Sequence, residues 1–315
     1  MVVRRMVRNI GLVAIAALVT ACSGSTVAPS IVPSAVASGA TPVDPVIAAA
    51  GDIACDPTVN KGAPTNCDQA ATAAQIQALK PAAVITLGDN QYESNAASQY
   101  AAVFDQTWGQ FKGLIHPTIG NHEYLTADAA GYFGYFGAAA GDPTKGYYSW
   151  NLGAWHIIAL NSECRHVGGC ASGSPQEAWL QADLAANPTA CTLVTYHEPS
   201  WSSGEHGNAV QMTTIWGDLV AAHVDLALAG HNHDYERFPP LDASGNPSAS
   251  GVQEFIVGTG GKNHYPFTAP AIAGEIRDDT AYGVLRLTLH PSSYDWQFLP
   301  APGYSFSDAG SMPCR

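Results

Sequence analysis

Two histidines one residue apart, His231 and His233 in GHNHDYERFPP, follow directly on the apolar run at residues 224–229. Such a pair at the end of a buried strand can hold a metal, rest in a loop as satisfied polar side chains, or contact phosphate or nucleic acid. Four other apolar runs end in comparable residues. Asp52 closes VIAAAGD, Asp89 and Tyr92 lie in AVITLGDNQY, Asn121 and His122 close IHPTIGNH, and His197 lies in TLVTYHE. Each alone has a plain explanation, an Asp that caps a turn or a histidine that serves structure. Five run ends carrying oxygen or imidazole donors together point to a metal centre. The set mixes carboxylate, imidazole, amide and phenol, which suits Zn, Mn or Fe better than Ca or Mg, and it is too rich in oxygen for a structural zinc cage.

Local spacing supports the grouping. Asp89 and Tyr92 are three apart, so one helix-like turn puts both on one face. His231 and His233 share a face in extended backbone, but a tight loop after Gly230 can aim them at different ions. Asn121 and His122 are adjacent and point apart, so one can ligate while the other faces a substrate.

The elements that must position these residues are short, continuous apolar runs, at 46–52, 83–90, 115–122, 155–163, 192–198, 225–233 and 254–261. Runs of this kind suit strands buried on both faces. Helical stretches are predicted at 68–80, at 96–112, at 174–187 with a capping box from Ser174 to Glu177 and Pro175 at its first position, and at 210–223. Residues 282–299 read as a closing hairpin. Strands alternating with helices imply an α/β sheet protein, and in open α/β sheets ligands bind beyond the carboxyl ends of the strands.

The ordered series GD, GDNQY, GNHE, TYH and GHNH resembles the five-block signature of calcineurin-like metallophosphoesterases. It departs from the broad family at the first block, where Asp52-Ile53-Ala54 lacks the usual histidine. Tyr92, three residues after Asp89, is the replacement typical of purple acid phosphatases, and GHNHDYER is similar to their last block. The resemblance implies a four-layer α/β/β/α sandwich and hydrolysis of phosphate monoesters, with residues 46–315 as the catalytic domain. It implies two ions, Fe(III) held by Asp52, Tyr92 and His233, and a divalent Zn, Fe or Mn held by Asn121, His197 and His231, with Asp89 bridging. EHG at 205–207 is similar to a stretch of the mammalian-type enzymes, which places Glu205 and His206 beside the leaving group, and His122 is expected to face the phosphate. A phosphodiesterase or nucleotidase on the same site, and a cell-surface binding protein with a vestigial metal site, are the alternatives.

Charge and export narrow the setting. The net charge is −13, and residues 1–21 carry Arg4, Arg5 and Arg8 with no acid, so the remainder is three units more negative, near −16. That field opposes nucleic acid, while a small phosphate ester can bind where local cations dominate. Residues 1–21 read as a signal peptide, with a basic start and a short apolar core ending in VTAC. Cys22 then stands where bacterial lipoproteins are lipidated, with plain secretion as the alternative. Residues 22–45, rich in Ser, Ala, Pro and Gly, read as a tether. Six further cysteines suggest disulfides in an exported chain. The pairings Cys55–Cys67, Cys164–Cys170 and Cys191–Cys314 are expected, the first two because they close short loops, although free buried cysteines are the alternative.

Overall fold

The computed structural model describes residues 44–56 and 67–315. The leader, Cys22 and the tether up to residue 43 lie outside the described residues. In chain order the strands are β1 (Val46–Ala50), β2 (Ala83–Leu87), β3 (Ile115–Thr118), β4 (Tyr148–Leu152), β5 (Trp155–Ala159), β6 (Cys191–Thr195), β7 (Leu226–Ala229), β8 (Tyr235–Arg237), β9 (Gln253–Val257), β10 (Ile276–Asp278), β11 (Gly283–His290), β12 (Ser293–Pro300) and β13 (Ala309–Pro313). The α-helices are α1 (Gln69–Leu79), α2 (Ala97–Ala102), α3 (Ala130–Phe136), α4 (Pro175–Ala186) and α5 (Thr213–Ala221).

The strands form a six-stranded sheet, ordered β13-β12-β11-β1-β2-β3, and a seven-stranded sheet, ordered β10-β8-β9-β7-β6-β5-β4. Within them β1-β2-β3 and β5-β6-β7-β9 run parallel. These strands are largely apolar because both of their faces are covered. The alternation of side chains sorts each strand between two layers. Leu193, Leu226, Leu228, Phe255 and Val257 point into the core shared with β1, β11 and β12. Their neighbours Val194, Ala227, Ala229 and Ile256 point the other way, onto Leu180 of α4 and Ile215, Trp216 and Leu219 of α5. On the far side Ala73 and Ile76 of α1 cover the six-stranded sheet. The result is the expected four-layer α/β/β/α sandwich. Burying a side chain such as Leu193 or Phe255 contributes about 1.5–3 kcal/mol.

The predicted helix at 96–112 is broken. Only α2 is α-helical, and 3-10 turns at Phe104–Gln106 and Trp108–Leu114 follow it. Val103 and Thr107 leave helical backbone angles, and the breaks let Tyr100, Phe104 and Trp108 all reach the core. The Trp108 indole also donates to Thr72 Oγ1 on α1 at 3.0 Å. Packing of three large rings outweighs helix propensity here. β4, β8, β10 and β13 were not foreseen, and the first of these pairs with β5 as an antiparallel hairpin. The predicted closing hairpin is β11 and β12, which pair along their whole length.

All three expected disulfides are present. Cys191–Cys314 joins the start of β6 to the residue just past β13, so it staples an edge of one sheet to the other. Among the described residues no helix is long and apolar enough to cross a membrane.

Candidate metal centre

The parallel strands of both sheets end at one place, and their ends are tied together. Thr118 at the end of β3 and Thr195 at the end of β6 share a hydroxyl hydrogen bond of 2.9 Å. Asp52 follows β1, Asp89 and Tyr92 follow β2, Asn121 follows β3, His197 follows β6, and His231 and His233 follow β7. Asp52, Asp89 and His231 take left-handed backbone angles, with φ of 57°, 47° and 70°. Such angles cost a non-glycine residue about 1–3 kcal/mol and turn the side chain back across the strand end. Two strand-end glycines leave the room this needs. A Cβ on Gly88 would stand 2.4 Å from His197 Nδ1, and one on Gly120 would stand 2.5 Å from Asp89 Oδ1.

Tyr92 occupies the middle of the first group. Its hydroxyl oxygen lies 2.8 Å from Asp52 Oδ1, 2.9 Å from Asp89 Oδ2 and 3.0 Å from His233 Nε2. His233 Nδ1 lies 2.6 Å from the Asn263 carbonyl and donates to it, so Nε2 presents a lone pair. Four acceptor atoms therefore crowd together with a single phenol proton among them. At Ala54, where the broad family has a histidine, the backbone holds the Tyr92 loop, accepting from Tyr92 N–H at 2.7 Å and donating to the Asn90 carbonyl at 3.1 Å. Lys262 Nζ rests over the Tyr92 ring, 4.7 Å from its centre, and pairs with Glu93.

The second group repeats the pattern. His197 Nδ1 donates to the Leu87 carbonyl at 2.8 Å, which leaves Nε2 facing Asn121 Oδ1 at 3.0 Å, His231 Nδ1 at 3.2 Å and Asp89 Oδ1 at 3.4 Å. Asp89 thus gives one oxygen to each group. Asp52, Asp89 and His197 offer ligand atoms that all lie within 4.8 Å of one another.

The electrostatics match this crowding. Burial would raise the Asp89 carboxyl, but the charges of His197 and His122 and hydrogen bonds from both hold it well below the usual range. Burial would lower His197, yet the Asp89 charge and hydrogen bond push it well up. Burial and the His197 charge push His231 down to about 2, so its imidazole is neutral and fit to ligate. Burial and the charges of Asp52 and Asp89 push the Tyr92 phenol well up, so ionising it takes a strong local cation. The donor atoms, their tautomers and this demand for positive charge fit a pair of metal ions.

Around the centre, His122 donates its backbone N–H to Asp89 Oδ1 at 2.9 Å, while its ring packs edge-on to Tyr92 with Nε2 3.8 Å from Asp89 Oδ2. The His206 ring lies against His231, 4.4 Å between centres, and against Tyr265. Burial lowers its pKa, and the charge of Glu205 opposes this. Glu205 is exposed, and among the described residues no hydrogen bond joins it to His206, so Glu205 acts on that ring through charge alone.

Two positioning residues escaped the sequence reading. Glu123 is fully buried and accepts from the backbone N–H groups of Gly120 (2.7 Å), Asn90 (2.8 Å) and Asp89 (3.1 Å), which binds the ends of β2 and β3 together. Its only signal was the acid at the end of GNHE. Asn232, between the two histidines, accepts from His206 N–H at 2.8 Å and donates to Ser202 Oγ at 2.7 Å, so it sets the loop that carries His206. His264 donates from Nδ1 to the His233 carbonyl at 2.7 Å.

Residues 46–235 match the family model described as calcineurin-like phosphoesterase. The chain is 30% identical over 166 residues to purple acid phosphatase 21 of Arabidopsis thaliana, covering 45% of this chain and 37% of that protein. It thus spans well under half the length of that relative. Its fold is similar to that of purple acid phosphatase PPD1 from yellow lupin seeds, with a TM-score of 0.69 at 18% identity, covering 85% of this chain and 53% of that one. It is also similar to GAP50, the anchor in the inner membrane complex of Plasmodium, with a TM-score of 0.61 at 13% identity over 87% of this chain and 90% of that one.

Proposed function

The chain belongs to the calcineurin-like phosphoesterase family, and from that premise we propose that it hydrolyses phosphate monoesters at a two-metal centre of the purple acid phosphatase type. One observation carries the reading: two clusters of potential ligand atoms face each other across Asp89, which gives one carboxylate oxygen to each. In this proposal Asp52, Tyr92 and His233 hold Fe(III), Asn121, His197 and His231 hold Zn, Fe or Mn, and Asp89 bridges. Ions held there supply positive charge for the phosphoryl oxygens and acidify a water, which reduces the very high barrier to phosphate-ester hydrolysis.

The protein's own groups do the rest. The Leu87 and Asn263 carbonyls keep His197 and His233 in the ligating tautomer. His122 Nε2, at the edge of the Tyr92 ring, hydrogen-bonds the phosphoryl group. His206, lowered by burial, is a stronger acid than a free imidazole and protonates the leaving alkoxide, and Glu205 adds charge that favours its protonated form. Three disulfides suit an oxidising, extracytoplasmic setting. Lipidation of Cys22 is the anchor proposed for it.

Metal analysis of the purified chain, alongside a panel of phosphomonoesters and phosphodiesters across pH, tests the reading. Two ions per chain and turnover of an aryl phosphate are expected, with both lost in Asp89→Ala. Unchanged turnover in that variant sinks the site. A metal-free chain that turns over no ester returns the protein to the binding class.

A further inference from the structure

Beside the Asn121–His231 side of the centre lies a cavity of about 390 Å³, also lined by Glu163, Arg165, Glu198 and Gln211. A volume of this order holds a small organic group, such as the alcohol of an ester whose phosphate sits at the centre. Arg165 stands on its rim with a side chain 73% exposed. The loop that carries it is well held. Cys164–His166 is a 3-10 turn after β5, and the Cys164–Cys170 disulfide closes the segment. The Cys164 carbonyl accepts from Gly169 N–H at 2.8 Å and from Val167 N–H at 3.2 Å. Arg165 Nε donates to His166 Nε2 at 3.1 Å. The His166 ring stacks in turn on Tyr124, 3.7 Å between centres. Burial and the Arg165 charge lower the His166 pKa, which keeps that imidazole a neutral acceptor.

A guanidinium has five N–H donors and keeps its charge whichever proton a neighbouring acid holds. One donor of Arg165 is spent on His166. Nη2 has Glu163 Oε2 at 3.5 Å, too long for a strong bond, and Nη1 has no hydrogen-bond partner among the described residues. Glu163 itself is buried, and Glu198 accepts from the Gln211 amide. The free, accessible donors of this rim are therefore those of Arg165. Two oxygens of one oxyanion match the planar fork of a guanidinium. The chain carries a net charge of −13, so an anion stays only where a local cation faces it. Resting on the phosphatase reading above, we propose that Arg165 binds the leaving alcohol, and that the preferred substrate is a phosphate monoester whose alcohol carries a second oxyanion, a carboxylate or another phosphoryl group. The reaction remains hydrolysis. The P–O bond to the alcohol breaks, the oxygen of water bonds to phosphorus, and the alcohol leaves with a proton while its own oxyanion stays intact.

The test uses the metal-loaded full chain with three esters: propyl phosphate, 2-carboxyethyl phosphate and 1,3-propanediol bisphosphate. At least one of the two anionic esters is expected to exceed the propyl ester in kcat/KM by about tenfold, the size of one charge-assisted contact open to solvent. Which of them gains tells a carboxylate site from a phosphoryl site. Arg165→Gln is expected to bring the anionic-to-propyl ratio close to one, chiefly through KM, and Arg165→Lys, which keeps the charge without the fork, to restore part of it. Equal kcat/KM for the three esters in the wild type overturns the proposal without any variant being needed. So does a wild-type preference that survives Arg165→Gln. No turnover of these esters or of an aryl phosphate overturns the phosphatase reading as well, and turnover without a preference that depends on Arg165 overturns this inference alone.

Discussion

Asp308→Asn should lower stability with a defined dependence on pH. Asp308 Oδ2 accepts from Arg237 Nε at 2.7 Å, from the Tyr235 hydroxyl at 2.7 Å and from Trp296 Nε1 at 3.1 Å, while Oδ1 accepts from Arg237 Nη2 at 2.9 Å. Tyr235 and Arg237 belong to the DYER segment that follows the paired histidines, so this carboxylate ties β8 of one sheet to β12 of the other. An asparagine keeps one oxygen for the three donors but turns an amide N–H₂ toward Arg237 Nη2. It loses the ion pair, one charge-assisted hydrogen bond, and the compensation of a largely buried guanidinium. Losses of this kind cost about 2–4 kcal/mol, which for a chain of this size lowers Tm by about 4–16 °C. Burial would raise the Asp308 carboxyl, but hydrogen bonds from Arg237 and Tyr235 and the Arg237 charge lower it below its usual value. A depressed carboxylate contributes stability above its unfolded pKa and loses that contribution as pH falls through the folded one. The gap in Tm between wild type and variant should therefore be full at neutral pH and close below the ordinary aspartate range. Thermal unfolding at a series of pH values reads it. A gap under about 1 °C at neutral pH, or one that does not shrink in acid, refutes the reasoning.

Three further outcomes are expected. If the proposed iron site holds, its Tyr92 phenolate would supply a charge-transfer band, so Tyr92→Phe should remove the visible absorption of the iron-loaded protein, and a colourless wild type with full activity and zinc alone refutes the iron assignment. Glu123→Gln should weaken ion retention by about tenfold or more, because an amide cannot accept from all the backbone N–H groups that hold the Asp89 loop; retention equal to wild type in a chelator titration removes that role. Replacing Cys191 and Cys314 together with serine opens a link between residues 123 apart and should cost about 2–5 kcal/mol in denaturant unfolding; a midpoint within error of wild type would show that β13 is held by its ladder alone.

What was legible in the sequence, and what was not, follows from the range of the interactions. The buried parallel strands announce themselves because both faces are covered, so runs such as VIAAA and LALA are apolar without a break. The residues after them stood out because donor groups at strand ends recur in a fixed order. The helix at 96–112 misled because Tyr100, Phe104 and Trp108 are four apart, a helical spacing, while the reason it breaks is a distant core position for each ring.

The same distinction explains the paired histidines. Periodicity puts His231 and His233 on one face of an extended chain, yet they serve different groups of acceptor atoms. The left-handed turn at His231 sends its Nδ1 toward His197, and the Asn263 carbonyl holds the His233 ring so that its Nε2 meets Tyr92. Asn232 between them is turned away from both groups and fixes the loop of His206. One four-residue turn therefore sets two proposed ion sites and the proposed proton donor at once. That coupling predicts that Asn232→Ala, which touches no proposed ligand, acts on the leaving-group step. Loosening His206 should lower kcat for alkyl phosphates, whose alkoxides need a proton, by about 10²-fold, and should affect aryl phosphates with acidic phenols far less. Equal losses on both ester classes would mean that Asn232 supports the ions and not the donor.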